Sequence, residues 1–346
     1  MEYIFNSLDF VLSNFLDPKK RIFIGYLFSG FCVALIWTIF IKKLTIINSL
    51  KFIFDKRIYF AKSAITDYFI YICNLIIIVF FSPILLTQLT IATLIFELLH
   101  SQELINPIYN SLIISSIIPV TFTFCYFVFD DFSKFLVHML MHRVPILWSF
   151  HKVHHSAEVL TPMTVFRTHP IEGIIFILRS TFTQGLIIGF FYYVTSGNLN
   201  LVTIVGANIF SFTFHLLGSN LRHSHISISY WKWLEYILIS PGQHQIHHSV
   251  KKEHHDKNFG VTFAFWDLLF KSLVFSRFDQ KLVFGLRKNE NSHKYNLIGI
   301  YIRPVIESYY ILKNFLKLFF YKFDLFLKNN QLNLYKFKKD SKNEIY

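Results

Sequence analysis

Residues 151–159 read HKVHHSAEV and residues 244–252 read HQIHHSVKK, so His-x-x-His-His-Ser occurs twice in one chain. On a helix, His151, His154 and His155 stand at i, i+3 and i+4 and come onto one face, and His244, His247 and His248 repeat the arrangement. In DFSKFLVHMLMH, His138 and His142 lie one helical turn apart, and 14 of the 16 histidines fall between His138 and His255. Imidazole suits zinc, copper, iron and nickel. A mononuclear catalytic zinc takes three protein ligands and keeps one open position, so eight imidazoles point to two metal ions. The zincin pattern His-Glu-x-x-His is absent, because Met139, Lys152 and Gln245 follow the leading histidines.

Further residues could complete or support two coordination spheres. In FHLLGSNLRHSHI, His215 and His223 are eight apart, close to one helical face, and His223 leads as a ligand; His225 and His215 stay open. His169, before a proline in RTHPIE, is a ligand, a support or a structural residue. His254 and His255 sit in a polar loop, and His100 and His293 read as surface or interface residues. Metal-bound histidine usually gives its second N–H to a carboxylate or a carbonyl. The nearby acids are Asp130, Asp131, Glu158, Glu172, Asp256 and Asp267; Asp131, seven residues before His138, is favoured.

What must position these residues is a set of apolar helices. Hydrophobic residues make up 53% of the 346, and mean hydropathy is +0.43, above the level of ordinary soluble chains. The formal charge of +13 lies between apolar runs and in the C-terminal tail, a pattern for anionic lipid rather than nucleic acid. Cys32, Cys73 and Cys125 each lie in an apolar run and form no Cys-x-x-Cys pair. The segment MEYIFNSLDFVLSNFLDPKKR mixes acids with apolar residues and reads as an interfacial amphipathic stretch rather than a signal peptide.

About 20 apolar residues cross a bilayer. Spans are expected at 22–41, 110–129, 171–195 and 199–217; 68–99, with Pro83, is one kinked span or two passes, and 233–240 is too short. Segment 42–62 carries six Lys and Arg, whereas SQELINP and TSGNLN carry none, so the first faces the cytoplasm and the others face outward. This topology brings both His-His doublets to the cytoplasmic side. The expected fold is an all-α integral membrane protein with a cytoplasmic histidine-rich helical cap holding a dinuclear metal site. Its parts are a membrane region over 1–129, a catalytic domain over 130–276 with further membrane helices, and a basic amphipathic tail over 277–346. The expected location is multi-pass in a bacterial inner membrane.

The motifs DFSKFLVHMLMH, LWSFHKVHHS, RTHPIE, NLRHSHI, SPGQHQIHHS and DKNFGVTFAFWDLLF, in this order from Asp130 to Phe270, resemble the sterol desaturase and fatty acid hydroxylase superfamily of membrane non-haem di-iron enzymes. The resemblance implies that His138, His142, His151, His154, His155, His244, His247 and His248 are iron ligands. His223, with His225 as a further candidate, would supply the box before the last. Asn258 and Asp267 would support the site rather than bind metal. Many relatives follow the WDxLF motif with Gly-Thr, where this chain has Lys271 and Ser272.

Two irons (Fe2+/Fe3+) held by neutral imidazoles, with O2 as co-substrate, can take hydrogen from an unactivated C–H bond. Return of hydroxyl gives an alcohol, and loss of a second, neighbouring hydrogen gives a double bond. The first expectation is hydroxylation of a membrane lipid: a sterol, fatty-acyl or isoprenoid chain. The second is a sterol or fatty-acyl desaturase on the same centre. A histidine-rich membrane protein that binds or transports metal is the remote reading, and it would place ionisable residues inside the spans. No GxGxxG fingerprint and no cysteine set for an iron–sulfur cluster is present, so electrons are expected from a separate ferredoxin or cytochrome with its reductase.

Overall fold

The structure, a computed structural model, describes residues 14–81, 87–102, 107–108, 116–204, 206–278, 280–286 and 295–343. Helices dominate: α1 (Ile24–Phe40), α2 (Ile46–Ile53), α3 (Lys62–Phe81), α4 (Gln88–Gln102), α5 (Ile118–Arg143), α6 (Pro145–His155), α7 (Pro170–Val194), α8 (Ile209–Leu216), α9 (Pro241–His247), α10 (Phe265–Leu269) and α11 (Leu297–Asn343). Prolines set where the histidine-bearing helices start. Pro145, Pro170 and Pro241 open α6, α7 and α9, where the missing N–H costs nothing and the fixed φ suits the first turn. Ser240 completes the start of α9 through a reciprocal capping box with Gln243.

Several expected spans take a different form. The stretch 68–99 lies on two helices, α3 and α4, and Pro83 falls outside the described residues. Of 110–129, residues 110–115 are also outside, and α5 runs unbroken from Ile118 past Asp130 to Arg143. The expected span at 199–217 is not one helix. It is a two-stranded hairpin, Thr203–Ile204 with Ala207–Asn208, followed by the eight residues of α8. Gly206 turns the hairpin at φ +78°, and the Asn208 side chain then caps α8 by accepting from the N–H groups of Phe210 and Ser211. The topology argument therefore loses its crossing before His223. Among the described residues, α7 alone is by itself long and apolar enough to cross a membrane; Ile46–Tyr59 with Lys62–Ile78, bent by 73°, pass the same criterion as a pair.

The outer faces are apolar: Phe28, Ile36, Phe69, Ile76, Leu94, Phe124 and Phe182 are all exposed. Inside, where helices converge, the buried side chains include eight of the box histidines with Asp131, Arg167, Glu172 and Asp267. Buried polar groups inside an apolar exterior reverse the usual soluble pattern. Helices α4 and α7 pack closely because Gly185 and Gly189 face α4 one turn apart: a Cβ at Gly189 would come within 2.5 Å of the Ala92 carbonyl oxygen. The first turns of α11 dock on the core, where Tyr301 donates to Asn74 at 3.0 Å and Glu307 pairs with Lys152. Farther along α11, Phe315, Phe319, Phe320 and Phe323 are exposed.

Candidate metal centre

The two boxes sort their histidines into two groups. His138 and His142 of α5, His151 and His155 of α6 and His247 of α9 form one, with their potential ligand atoms all within 4.8 Å of one another. His154 of α6, His223 of the 3-10 turn Ser219–His223, and His244 and His248 at the end of α9 form the other. Helix geometry explains the division. The i, i+4 pair of each box stays together, His151 with His155 and His244 with His248, while the remaining histidine, His154 or His247, joins the opposite group. Each box thus serves both groups, which gives the repeat of His-x-x-His-His a structural reason.

The nitrogen atoms fit metal ions. In the first group, Nε2 of His142, His151, His155 and His247 is buried without a hydrogen-bond partner. In the second, Nε2 of His154, His244 and His248 lies 3.2, 3.0 and 3.2 Å from Nε2 of His223. A neutral imidazole has one N–H to give, so one nitrogen cannot satisfy three others at once. Four nitrogens each about 2.0–2.1 Å from a shared ion would stand about 3.3 Å apart, close to the observed spacing. Burial, reinforced by neighbouring imidazoles, pulls His138, His142, His154, His155, His223, His244 and His248 well below the usual histidine range. Burial pulls His247 down to about 3. These residues are therefore neutral, the state a metal needs.

Backbone carbonyls and one carboxylate orient the first group. His138 donates from Nδ1 to the Phe259 carbonyl at 2.7 Å, His247 donates from Nδ1 to the Lys257 carbonyl at 2.8 Å, and His151 Nδ1 meets Glu172 Oε1 at 2.8 Å. The 257–260 turn that offers those carbonyls is held in turn. Asp267 accepts from the N–H groups of Phe259 and Gly260 at 2.8 and 2.7 Å and from Ser272 Oγ at 2.6 Å. Asn258, at φ +55°, donates to the carbonyls of Gln243 and Val274 and accepts from Val274 N–H. Asn258 and Asp267 thus brace the centre without joining either group. Ser272, where the resemblance leads to an expectation of threonine, closes onto Asp267. Burial pushes the Asp267 carboxyl up to about 6 against three donors. Gln245 ties the second group together by donating to the carbonyls of Ser224 and Ile226, beside His223. The buried pair Arg167–Asp67, 2.7 Å apart, fixes the end of α6, where Arg167 also donates to the Val153 carbonyl and Ser156 Oγ.

Four further sequence candidates, besides Asn258 and Asp267, lie outside both groups. His215 and His223 do not share a helical face, because Gly218, at φ +87°, ends α8 between them; His215 instead meets Ser219 Oγ at 2.6 Å. His225 turns away to the Phe52 carbonyl at 2.8 Å. His169 caps α7 with Nδ1 and uses Nε2 on the Tyr301 carbonyl, so neither nitrogen is left for a metal. Asp131 touches no box histidine; it accepts from Thr262 N–H, Phe263 N–H and Trp266 Nε1, which pins the 262–266 segment to α5. The carbonyls of Lys257 and Phe259 and the cations Arg21 and Arg222 are parts of the site that side-chain spacing does not reveal. Two cavities reach the histidines. One of about 220 Å³ touches His142, His155, His247 and His248, and one of about 280 Å³ touches His138, His151, His154, His223 and His244.

The fold and the site define a helical, apolar-surfaced protein built around two histidine groups with metal-binding geometry. Residues 123–272 match the family model described as Fatty acid hydroxylase. Through this segment the chain is similar to the sterol desaturase and fatty acid hydroxylase superfamily. It is 29% identical over 174 residues, 50% of this chain and 31% of the relative, to an alkylglycerol monooxygenase of Caenorhabditis elegans. It is 27% identical over 158 residues, 45% of this chain and 31% of the relative, to the alkylglycerol monooxygenase of Homo sapiens. With a Delta(7)-sterol 5(6)-desaturase of Gibberella zeae it shares 26% identity over 126 residues, 36% of this chain and 34% of the relative. The chain thus spans about a third of the length of these curated relatives. No solved structure matches it.

Proposed function

We propose that this protein is an O2-dependent lipid oxygenase of the membrane that hydroxylates a C–H bond of its substrate at a di-iron centre. His138, His142, His151, His155 and His247 would hold one iron, and His154, His223, His244 and His248 the other. The observation that carries the reading is the convergence of nine imidazoles into two groups of metal-binding geometry, most of them buried and held neutral, in a chain related to lipid oxidoreductases. When bound, the irons supply O2 activation of a strength that unactivated C–H bonds require. The chain's own residues do the rest. Glu172 and the carbonyls of Lys257 and Phe259 hold the rings in one orientation. The apolar wall formed by Val165, Phe176 and Val261 keeps the approach to the histidines dry.

The reading includes a multi-pass membrane location with the histidine centre at the cytoplasmic surface, supported by the apolar outer faces and the basic segment 42–62. A separate electron donor, a ferredoxin or cytochrome with its reductase, would complete the reaction. The domain division proposed is a membrane region, 1–129, a catalytic region, 130–276, and a basic tail, 277–346. Desaturation on the same centre is the second reading, favoured by the similarity to the sterol desaturase. Lipid analysis of cells expressing the wild type or His154→Ala separates the outcomes. A hydroxylated lipid present only with the wild type supports hydroxylation, a new double bond supports desaturation, and identical lipid profiles contradict both.

A further inference from the structure

The larger histidine-lined cavity carries cations that the histidine centre does not use. Arg21, Lys134 and Arg222 line it together with Glu172. Lys134 is paired with Asp130 at 2.6 Å, and Asp130 also binds Arg179 at 2.8 Å. Glu172 is engaged by His151. Arg222 is buried, donates to the carbonyls of Ser219 and Val261 and lies over the Phe214 ring, with no carboxylate paired to it among the described residues. The Arg21 guanidinium has no hydrogen bond or ion pair among the described residues, and its nearest acids, Asp130 and Asp131, are occupied by other donors. A buried guanidinium, Arg222, and a half-buried one, Arg21, share this cavity with no carboxylate paired to either among the described residues, and a planar fork of N–H donors matches a carboxylate or a phosphate.

A second, more apolar cavity adjoins this one and shares two lining residues with it, Thr168 and Gly173. This second cavity, of about 320 Å³, lies between α3 and α7 and is walled by Leu75, Ile78, Ile174 and Ile177. A Cβ built on Gly173 meets nothing within 4 Å, so this glycine borders open space rather than a packed neighbour. We propose that the two cavities together bind one single-chain amphiphile, its anionic oxygen head on Arg21 and Arg222 and its alkyl tail running past Gly173 between α3 and α7. This inference deepens the oxygenase reading and, with the histidines flanking the head cavity, places the oxidised carbon near the head rather than at the far end of the tail.

The test is binding to the full-length chain in an uncharged detergent, followed by calorimetry. The probes are palmitate, palmitoyl lysophosphatidate and hexadecanol, with octanoate as a short chain and inorganic phosphate and acetate as heads without tails. At least one long anionic probe should bind about tenfold or more tightly than hexadecanol, a difference of about 1.4 kcal/mol. Arg21→Gln should remove that margin and leave hexadecanol binding unchanged. Preference for palmitate or for lysophosphatidate identifies carboxylate or phosphate as the head, and tight binding of phosphate alone would overturn the lipid assignment. Gly173→Leu, at a position with room for a side chain, should weaken palmitate more than octanoate. Binding of palmitate and of lysophosphatidate no tighter than that of hexadecanol by the wild type would overturn the proposal. So would a margin that survives Arg21→Gln but disappears in Lys20→Gln, which lies on the tail cavity. If Arg21→Gln does not fold, an unchanged chain-length preference in Gly173→Leu overturns it. None of these measurements requires iron, so a chain that binds the amphiphile but no iron would refute the oxygenase reading and leave this one standing.

Discussion

Acidifying the metal-free protein from about pH 7.5 to about pH 5.5 should remove most of its stability. Eight histidines, His138, His142, His154, His155, His223, His244, His247 and His248, are held neutral by burial in the folded chain. In the unfolded chain they titrate near 6.5. A histidine with a depressed folded pKa contributes stability that is present above its unfolded pKa and lost as pH falls toward the folded one. At about one unit below 6.5 each such group favours the unfolded chain by roughly 1 kcal/mol, so the eight together amount to at most on the order of 10 kcal/mol. That is comparable to the whole stability of a typical domain, about 5–15 kcal/mol, and for a chain of this length corresponds to a fall on the order of 10–15 °C in Tm. The assay is thermal unfolding by near-UV circular dichroism in detergent at both pH values, with chelator and after ferrous iron is restored. Iron competes with protons for the same nitrogens, so the loaded protein should hold its Tm to lower pH. Equal Tm values at both pH values for the metal-free protein would show that the imidazoles are not buried and neutral, and the site geometry would fail.

Glu172→Gln should leave the fold intact but loosen His151, lowering metal retention about 10–100-fold in a chelator competition. Asp267→Ala removes the acceptor of three hydrogen bonds in a buried turn and should cost about 3–5 kcal/mol, read as a lower Tm together with reduced iron content. His169→Ala and His225→Ala, outside both groups, should lower Tm with iron content unchanged; loss of metal in either would mean that the site is larger than drawn. Gly189→Ala should force α4 off α7 and reduce the yield of folded protein, while Gly30→Ala, at a position where a Cβ meets nothing, should not.

Box spacing was readable because helix periodicity is local: i, i+3 and i+4 place His151, His154 and His155 near one another whatever surrounds them. Periodicity alone does not divide a box between two centres: the i+3 histidine crosses to a second group once α9 and the Ser219–His223 turn arrive from distant sequence. Spacing puts His223 ahead of His225 but leaves His225 open; in the structure His223 closes a 3-10 turn and joins the second group, while His225 lies beyond that turn and meets the Phe52 carbonyl. Hydropathy marked 199–217 as a span because it counts apolar residues, but Gly206, Asn208 and Gly218 break the backbone there. Asp131 has helical register with His138, yet its oxygens are taken by N–H groups more than a hundred residues away, which no local pattern contains. The carbonyls that orient His138 and His247 carry no side-chain signature at all.

The most direct test of the account is the metal content of the purified full-length chain after anaerobic loading with ferrous iron, by elemental analysis and by Mössbauer spectroscopy on an iron-57 preparation. The account predicts about two irons per chain, one for each histidine group, with a coupled diferric signal after exposure to O2. His151→Ala and His248→Ala, one from each group, should each reduce that content. A chain that takes up no iron under these conditions would contradict the central claim.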